Sequence, residues 1–275
     1  VHGVLEQVDT AADNLGVEVR ARVDQVMAQR VGRPVDADAL TRGLLDTLQT
    51  PLGPLVGGLR LCDVAPSDRL SELGFELPLA GGDRRAGGDP VADAALGDVA
   101  QLLRTHLPPD DPLRGYADAV GVDGLAGRRL RGYLLGSIDA VLRVPHPHLA
   151  SQSTYLVVDY KTNVLRDADG TVTPWAYRPG ALVPAMVAAH YPLQALLYAV
   201  ALHRFLRWRL GGRYDPGVHL GGVQYHFVRG MVGPDAVLRD ASGLPTGEVC
   251  GVLAWSLPPT LVTAVSHLLA RGPTP

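Results

Sequence analysis

The chain has 275 residues, 47% hydrophobic and 19% charged, which is enough for one large domain with a real core and too apolar for a disordered chain. Its two cysteines, Cys62 and Cys250, stand far apart, which excludes a disulfide framework, a zinc site of paired cysteines and a four-cysteine iron–sulfur cluster. The net charge of −3 excludes a uniformly basic surface. Phosphate contacts, if any, must then be local: Arg128, Arg129 and Arg131 form one cluster, and Arg204, Arg207 and Arg209 another. Both clusters read equally well as ordinary solvated or helix-end charges.

In chain order, residues 1–31 read as helical, with Val4, Val8, Leu15, Val19, Val23 and Val26 near helix spacing and a break around Asn14 to Gly16. Residues 36–49 predict a second helix, capped by Asp36 and carrying Leu40, Leu44, Leu45 and Leu48 on one face. A Pro/Gly loop follows, then an alternating strand over 70–79, a Gly- and Asp-rich loop over 81–90 and a helix over 91–107. The glycine-rich stretch 115–127 is ambiguous. Residues 131–144 and 155–160 read as two strands joined by the turn signal Pro145-His146-Pro147-His148, an expected antiparallel hairpin. Residues 163–187 look irregular, and such long loops are usually functional or mobile. Residues 192–210 give the clearest helix, with Pro192 in its first turn and Gly211-Gly212 at its end. A strand over 222–228 and a helix over 259–269 close the list. The mix predicts an α/β fold, a central mixed sheet flanked by helices, as a single domain over 1–275 with its core at about 131–230. The most apolar region, 181–202, is interrupted by Pro184, His190, Pro192 and Gln194, so no membrane span is expected. The start at Val1 carries no signal peptide and suggests a piece of a longer chain, and a reducing cytoplasm is the expected setting.

Of the 25 basic residues, Lys161 is the sole lysine. Arginine replaces lysine at most surface sites, but not where chemistry needs a compact ammonium with a movable pKa. In Val157-Val158-Asp159-Tyr160-Lys161-Thr162, strand alternation points Asp159 and Lys161 to one face and Tyr160 to the other. The preceding strand, Leu134-Leu135-Gly136-Ser137-Ile138-Asp139, brings a second carboxylate. Two carboxylates held together repel unless a cation neutralises them, and oxygen ligands in an incomplete cage suit Mg²⁺ or Mn²⁺. A nearby ammonium orients a water or stabilises developing charge. Asp139, Asp159 and Lys161 thus make a phosphodiester-hydrolysis set, although Asp-x-Lys alone is a weak signal that a surface ion pair produces as readily. Gln194 and Tyr198, four apart on the clearest helix, share a face beside the apolar stripe of Leu193, Leu196, Leu197 and Val200. They support Lys161 or touch a ligand in one reading, and meet solvent at a helix edge in the other.

Taken together, Gly132-Tyr133-Leu134-Leu135-Gly136-Ser137-Ile138-Asp139, Tyr155-Leu156-Val157-Val158-Asp159-Tyr160-Lys161-Thr162-Asn163 and Tyr191-Pro192-Leu193-Gln194-Ala195-Leu196-Leu197-Tyr198 resemble, in order and spacing, the nuclease domain of RecB proteins, within the PD-(D/E)xK nucleases. Residues 201–206 and 221–230 are also similar to that family. The resemblance implies a restriction-endonuclease-like core and a Mg²⁺-dependent DNA nuclease, with Mn²⁺ or Ca²⁺ able to replace Mg²⁺ in binding. It implies His2, Asp139, Asp159 and the Tyr160 carbonyl as metal ligands, Lys161 as the catalytic ammonium, and Gln194 and Tyr198 as its support or as DNA contacts. Glu72 matches a further active-site acid, with Glu76 on the same strand an equal contender. The implied partners are DNA, single-stranded as it emerges from a motor, the RecC and RecD subunits, and RecA. The chain has no phosphate-loop motif, so no ATP site is expected in it. The rival reading is a catalytically silent DNA-binding or RecA-docking module on the same fold.

Overall fold

The structure is a computed structural model that describes residues 1–29, 35–79, 94–122, 124–149 and 151–272. Its elements are α1 (His2–Gln7), α2 (Leu15–Ala28), α3 (Ala37–Gln49), β1 (Arg69–Pro78), α4 (Leu96–His106), α5 (Tyr116–Gly121), β2 (Tyr133–Pro145), β3 (Ser153–Lys161), α6 (Pro179–Ala188), α7 (Tyr191–Leu210), α8 (Pro216–His219), β4 (Leu220–Phe227), β5 (Val237–Arg239), β6 (Pro245–Val249), β7 (Val252–Trp255) and α9 (Pro259–Arg271). Asn14 caps α2 by accepting from the Val17 amide, which is the break expected there. Asp36 caps α3, accepting from Asp38 and Ala39, each at 3.0 Å. The Gly/Asp-rich loop expected over 81–90 lies outside the described residues, as do 91–93 of the helix expected over 91–107, which begins at Leu96, since 94 and 95 are not helical.

Five strands form one sheet in the order β1-β2-β3-β4-β7, and β5 pairs with β6 in a separate ribbon. The β2–β3 hairpin is antiparallel, with Ala140 opposite Val158 and Pro145 opposite Ser153, as its turn signal predicts. In contrast, Gly221 sits against Thr154 while Val228 donates to the Lys161 carbonyl. Positions on β3 and β4 therefore rise together and that pair is parallel, which makes the sheet mixed and requires a long crossover between the strands. The segment from 162 to 219, carrying α6 and α7, is that connection. Central position explains composition: residues 156–160 of β3 are all buried, so this strand reads as a nearly continuous apolar run into which Asp159 is set. The fold is thus the α/β, restriction-endonuclease-like core with a central mixed sheet flanked by helices that the sequence predicts.

The chain forms two compact units: Val1–Leu73, Ile138–Leu182 and Gly221–Trp255 in the first, and Gly74–Ser137, Val183–Leu220 and Ser256–Pro275 in the second. The first has a core in which Leu5 of α1, Val19 and Val23 of α2, Leu48 of α3, Leu142 of β2 and Leu156 of β3 are all at most 1% exposed. In the second, α4 packs on α5 and on α9, and α7 on α9. Gly136 is required there by close approach: a Cβ at this position would lie 2.5 Å from the Phe75 ring.

The stretch 163–187, expected to be irregular, instead holds a short 3-10 turn (Pro174–Tyr177) and most of α6. Pro179 opens α6 and Pro184 lies inside it, and internal proline removes the signal by which a helix is recognised. Residues 115–127 hold the short α5.

Candidate active site

Asp139 stands where the β2–β3 ladder ends. The paired register runs to Ala140 opposite Val158, and one step on the Asp139 carboxylate replaces the backbone as acceptor, its Oδ2 taking the Tyr160 amide at 2.7 Å. This charge-assisted bond fixes the carboxylate against the neighbouring strand. Asp159 projects from that strand and is 3% exposed. Its Oδ2 receives no well-aligned hydrogen bond, and its nearest cation is the Lys161 ammonium at 2.5 Å. Strand alternation brings these two side chains to one face as expected. Burial pushes the Asp159 carboxyl up to about 6, with Asp139 adding to the rise and Lys161 and His2 opposing it. The Lys161 ammonium also lies over the Tyr225 ring, 5.2 Å from its centroid.

α1 supplies the third side. Val4 and Leu5 anchor it in the core, which turns His2 toward β3. Its Nε2 lies 2.8 Å from the Tyr160 carbonyl oxygen and 3.6 Å from Asp139 Oδ2. Glu6, one turn after His2, shares its face. Burial, then Glu72 and Asp139, raise the Glu6 carboxyl above the usual range, while His2 lowers it. The start of β1 is tied to α1, because Arg69 donates to the Val8 carbonyl and Ser71 Oγ to that of Glu6. Glu72 follows with φ of +53°, a left-handed conformation that costs a non-glycine residue on the order of 1 kcal/mol or more. Of the two acids considered on β1, Glu72 is the one whose charge reaches Glu6. Glu6 itself was missed in the sequence reading, although its spacing of four from His2 was a signal that could have found it.

The structure therefore brings together His2, Asp139, Asp159, Tyr160 and Lys161, with Glu6 and Glu72 close by. Gln194 and Tyr198 lie in the second unit, where Gln194 Nε2 donates to Tyr198 Oη at 3.0 Å and the Phe75 ring meets Tyr198 edge-on. They line a cavity of about 300 Å³ with Phe75, Gly136, Leu193 and Leu197.

Among the described residues no three His, Cys, Asp or Glu side chains form a ready-made metal cage. The donors nearest to such an arrangement are the His2 imidazole, the Asp139 carboxylate and the Tyr160 carbonyl, with Asp159 drawn toward Lys161. Ligands on an octahedral Mg²⁺ with bonds of about 2.1 Å stand about 3 Å apart, and the separations of 2.8 and 3.6 Å bracket that value. The hard oxygen donors suit Mg²⁺, and the imidazole suits Mn²⁺ better. The donor set thus fits a small divalent cation.

The chain is 47% identical over 269 residues, 98% of its length, to the RecBCD enzyme subunit RecB of Mycolicibacterium smegmatis. It is 49% identical over 278 residues to the subunit of the same name from Mycobacterium tuberculosis, covering 99% of the chain. The Escherichia coli RecB subunit is 33% identical over 192 residues, 70% of the chain and 13% of that protein. The chain spans 23% of the length of each of the first two relatives. No protein-family model matches it.

Proposed function

The chain belongs to the RecB family and spans 23% of the length of its two mycobacterial relatives, and on that premise we propose that it is a metal-dependent DNA nuclease module of a RecBCD-type enzyme. The observation that carries this reading is the buried Asp159–Lys161 pair at 2.5 Å, set beside Asp139 and His2. A silent module gains nothing from holding a buried carboxylate, Asp159, beside a half-buried one, Asp139, where repulsion and desolvation cost stability.

His2, Asp139, Asp159 and the Tyr160 carbonyl would hold a divalent ion, Mg²⁺ by preference, with Mn²⁺ or Ca²⁺ able to replace it in binding. When bound, that ion supplies positive charge against the phosphodiester and makes water more acidic. Asp139 is oriented by the Tyr160 amide, so its free lone pairs point consistently. Asp159 fixes the Lys161 ammonium, which orients the attacking water or stabilises the charge developing on the phosphate. Gln194 and Tyr198, in the second unit, are the proposed DNA contacts there. Glu72, with Glu6 beside it, adds negative charge at the rim. The substrate is DNA, single-stranded as delivered by the motor of a longer protein, in the cytoplasm. RecC and RecD are the proposed neighbours, and RecA docking is a second role compatible with the first.

The test is cleavage of an end-labelled single strand by the 275-residue chain with Mg²⁺ and with excess EDTA. Cleavage in Mg²⁺ alone, lost in Lys161→Ala while the circular dichroism spectrum is kept, is the expected result. Equal cleavage by Lys161→Ala would refute the assignment.

A further inference from the structure

The second unit carries a basic surface that the candidate active site does not use. Arg204 and Arg207, one turn apart on α7, line a cavity of about 370 Å³ with Ser266 and His267 of α9 and Leu77 and Pro78 of β1. The Arg204 guanidinium is fixed, its Nε donating to Ser266 Oγ at 3.0 Å and one terminal nitrogen to the Ser266 carbonyl at 2.8 Å. Both partners are neutral. Among the described residues, none of Arg204, Arg207 and His267 forms an ion pair with an acid. Neither α7 nor α9 contains an Asp or Glu, and Glu76, next to Leu77, alternates to the other face of β1. The uncompensated charge is felt locally: burial and then Arg207 hold the Arg204 guanidinium below its usual range. His203, bonded to Tyr214 Oη at 2.8 Å, is pushed down to about 4 by burial and by Arg207, Arg204 and His267.

Trp208 follows Arg207 directly on α7 and is 74% exposed, which is unusual for the residue type that buries the most apolar area. Phe205 packs against it at 6.2 Å between ring centroids, and the Arg209 guanidinium lies 5.4 Å from its ring centre. Basic residues in a last helical turn complement the helix dipole. That account leaves unexplained why Arg204, a turn earlier, and Arg207 face a cavity lined by no acid, and why the indole between Arg207 and Arg209 is exposed.

We infer that the C-terminal half of α7 is a binding site for single-stranded DNA, in which a base stacks on Trp208 and an adjacent phosphate enters the Arg204–Arg207–His267 cavity. Guanidinium groups match phosphate oxygens in a fixed fork. An exposed aromatic ring between cations is the platform by which unpaired bases are held without regard to sequence. Duplex DNA offers phosphates but no free base face, so Trp208 favours the unpaired strand. The inference deepens the nuclease reading and rests on it for the choice of DNA as the polyanion, but it does not depend on the metal site.

The test is fluorescence anisotropy of a labelled 20-nucleotide oligo(dT) with the 275-residue chain in EDTA, so that binding is read without cleavage. Trp208→Ala is expected to weaken binding about tenfold, and Trp208→Phe to restore most of it. Arg207→Ala is expected to weaken binding and to lower the dependence of log affinity on log salt by about 0.7, the value for one phosphate contact on a single strand. Both side chains lie at the surface or a cavity wall, and Arg204, whose bonds hold α7 to α9, is left intact. Unchanged affinity in Trp208→Ala and Arg207→Ala would overturn the site, even if the chain cleaves DNA. Equal losses on oligo(dT) and on a blunt duplex would overturn its assignment to unpaired bases. Trp208-dependent binding by a chain that cleaves nothing would uphold this inference and remove the nuclease reading alone.

Discussion

Replacing Asp159 by asparagine should abolish cleavage and, with metal absent, make the protein more stable at neutral pH. Asp159 is 3% exposed, and burial raises its carboxyl from an ordinary 3.8 to about 6 despite the neighbouring Lys161. A carboxyl that holds its proton more tightly when folded binds more protons in the native than in the unfolded chain between those two values. Its contribution to stability therefore falls as pH rises through that window. At about 1.4 kcal/mol per pH unit, ionisation of Asp159 costs the folded state up to about 3 kcal/mol by pH 7. Asparagine keeps the shape and stays neutral, so it avoids that cost, which is already net of the attraction to Lys161. The assay is urea unfolding of wild type and Asp159→Asn in EDTA from pH 4 to 8. The two stabilities should nearly coincide at pH 4 and diverge above it, with the variant the more stable by 1–3 kcal/mol at pH 7, on the order of the cost just given. Parallel curves, or a variant less stable at pH 7 than at pH 4 relative to wild type, would refute the argument that this carboxylate is held ionised against its surroundings.

The remaining predictions concern the same frame. Saturating Mn²⁺ should raise the melting temperature of wild type, with a stabilisation of about 2.7 kcal/mol at a hundred times the dissociation constant. Asp139→Asn should lose most of that gain, and a gain equal to wild type would remove Asp139 from the ligand set. Gly136→Ala would place a methyl group 2.5 Å from the Phe75 ring, so calorimetry should show a loss of about 1–3 kcal/mol, and a neutral substitution would mean that β1 moves aside freely. Asp36→Ala removes the carboxylate that caps α3 through two amides. It should cost about 1 kcal/mol of stability in urea unfolding and leave cleavage unchanged.

The legibility of this chain varied with the physical kind of signal. The β2–β3 hairpin was readable because its apolar runs and the Pro-His turn lie next to each other, and the sole lysine drew attention to Asp159 two residues earlier. The cap of α3 and the break before α2 were also local, the first set by Asp36 and two amides and the second by Asn14 and one. α6 was not readable, because Pro184 sits where periodicity expects an amide donor. β7 was missed because its four residues are recognisable only through pairing, with Val223 opposite Trp255 and His226 opposite Val252. The charge field around Glu6 depends on β1 being tied to α1 by Arg69 and Ser71, a tertiary fact with no local trace. The same holds for the cavity between α7 and α9. The arginines were visible as a cluster, but whether acids face them is decided by packing.

The most direct measurement of the central claim is an anomalous difference map from crystals of the chain soaked in Mn²⁺. The account predicts a manganese peak bounded by His2 Nε2, the Asp139 carboxylate, the Tyr160 carbonyl and Asp159, with Lys161 still beside it. Saturating Mn²⁺ with no peak there, or a peak held only by side chains outside this group, would contradict it.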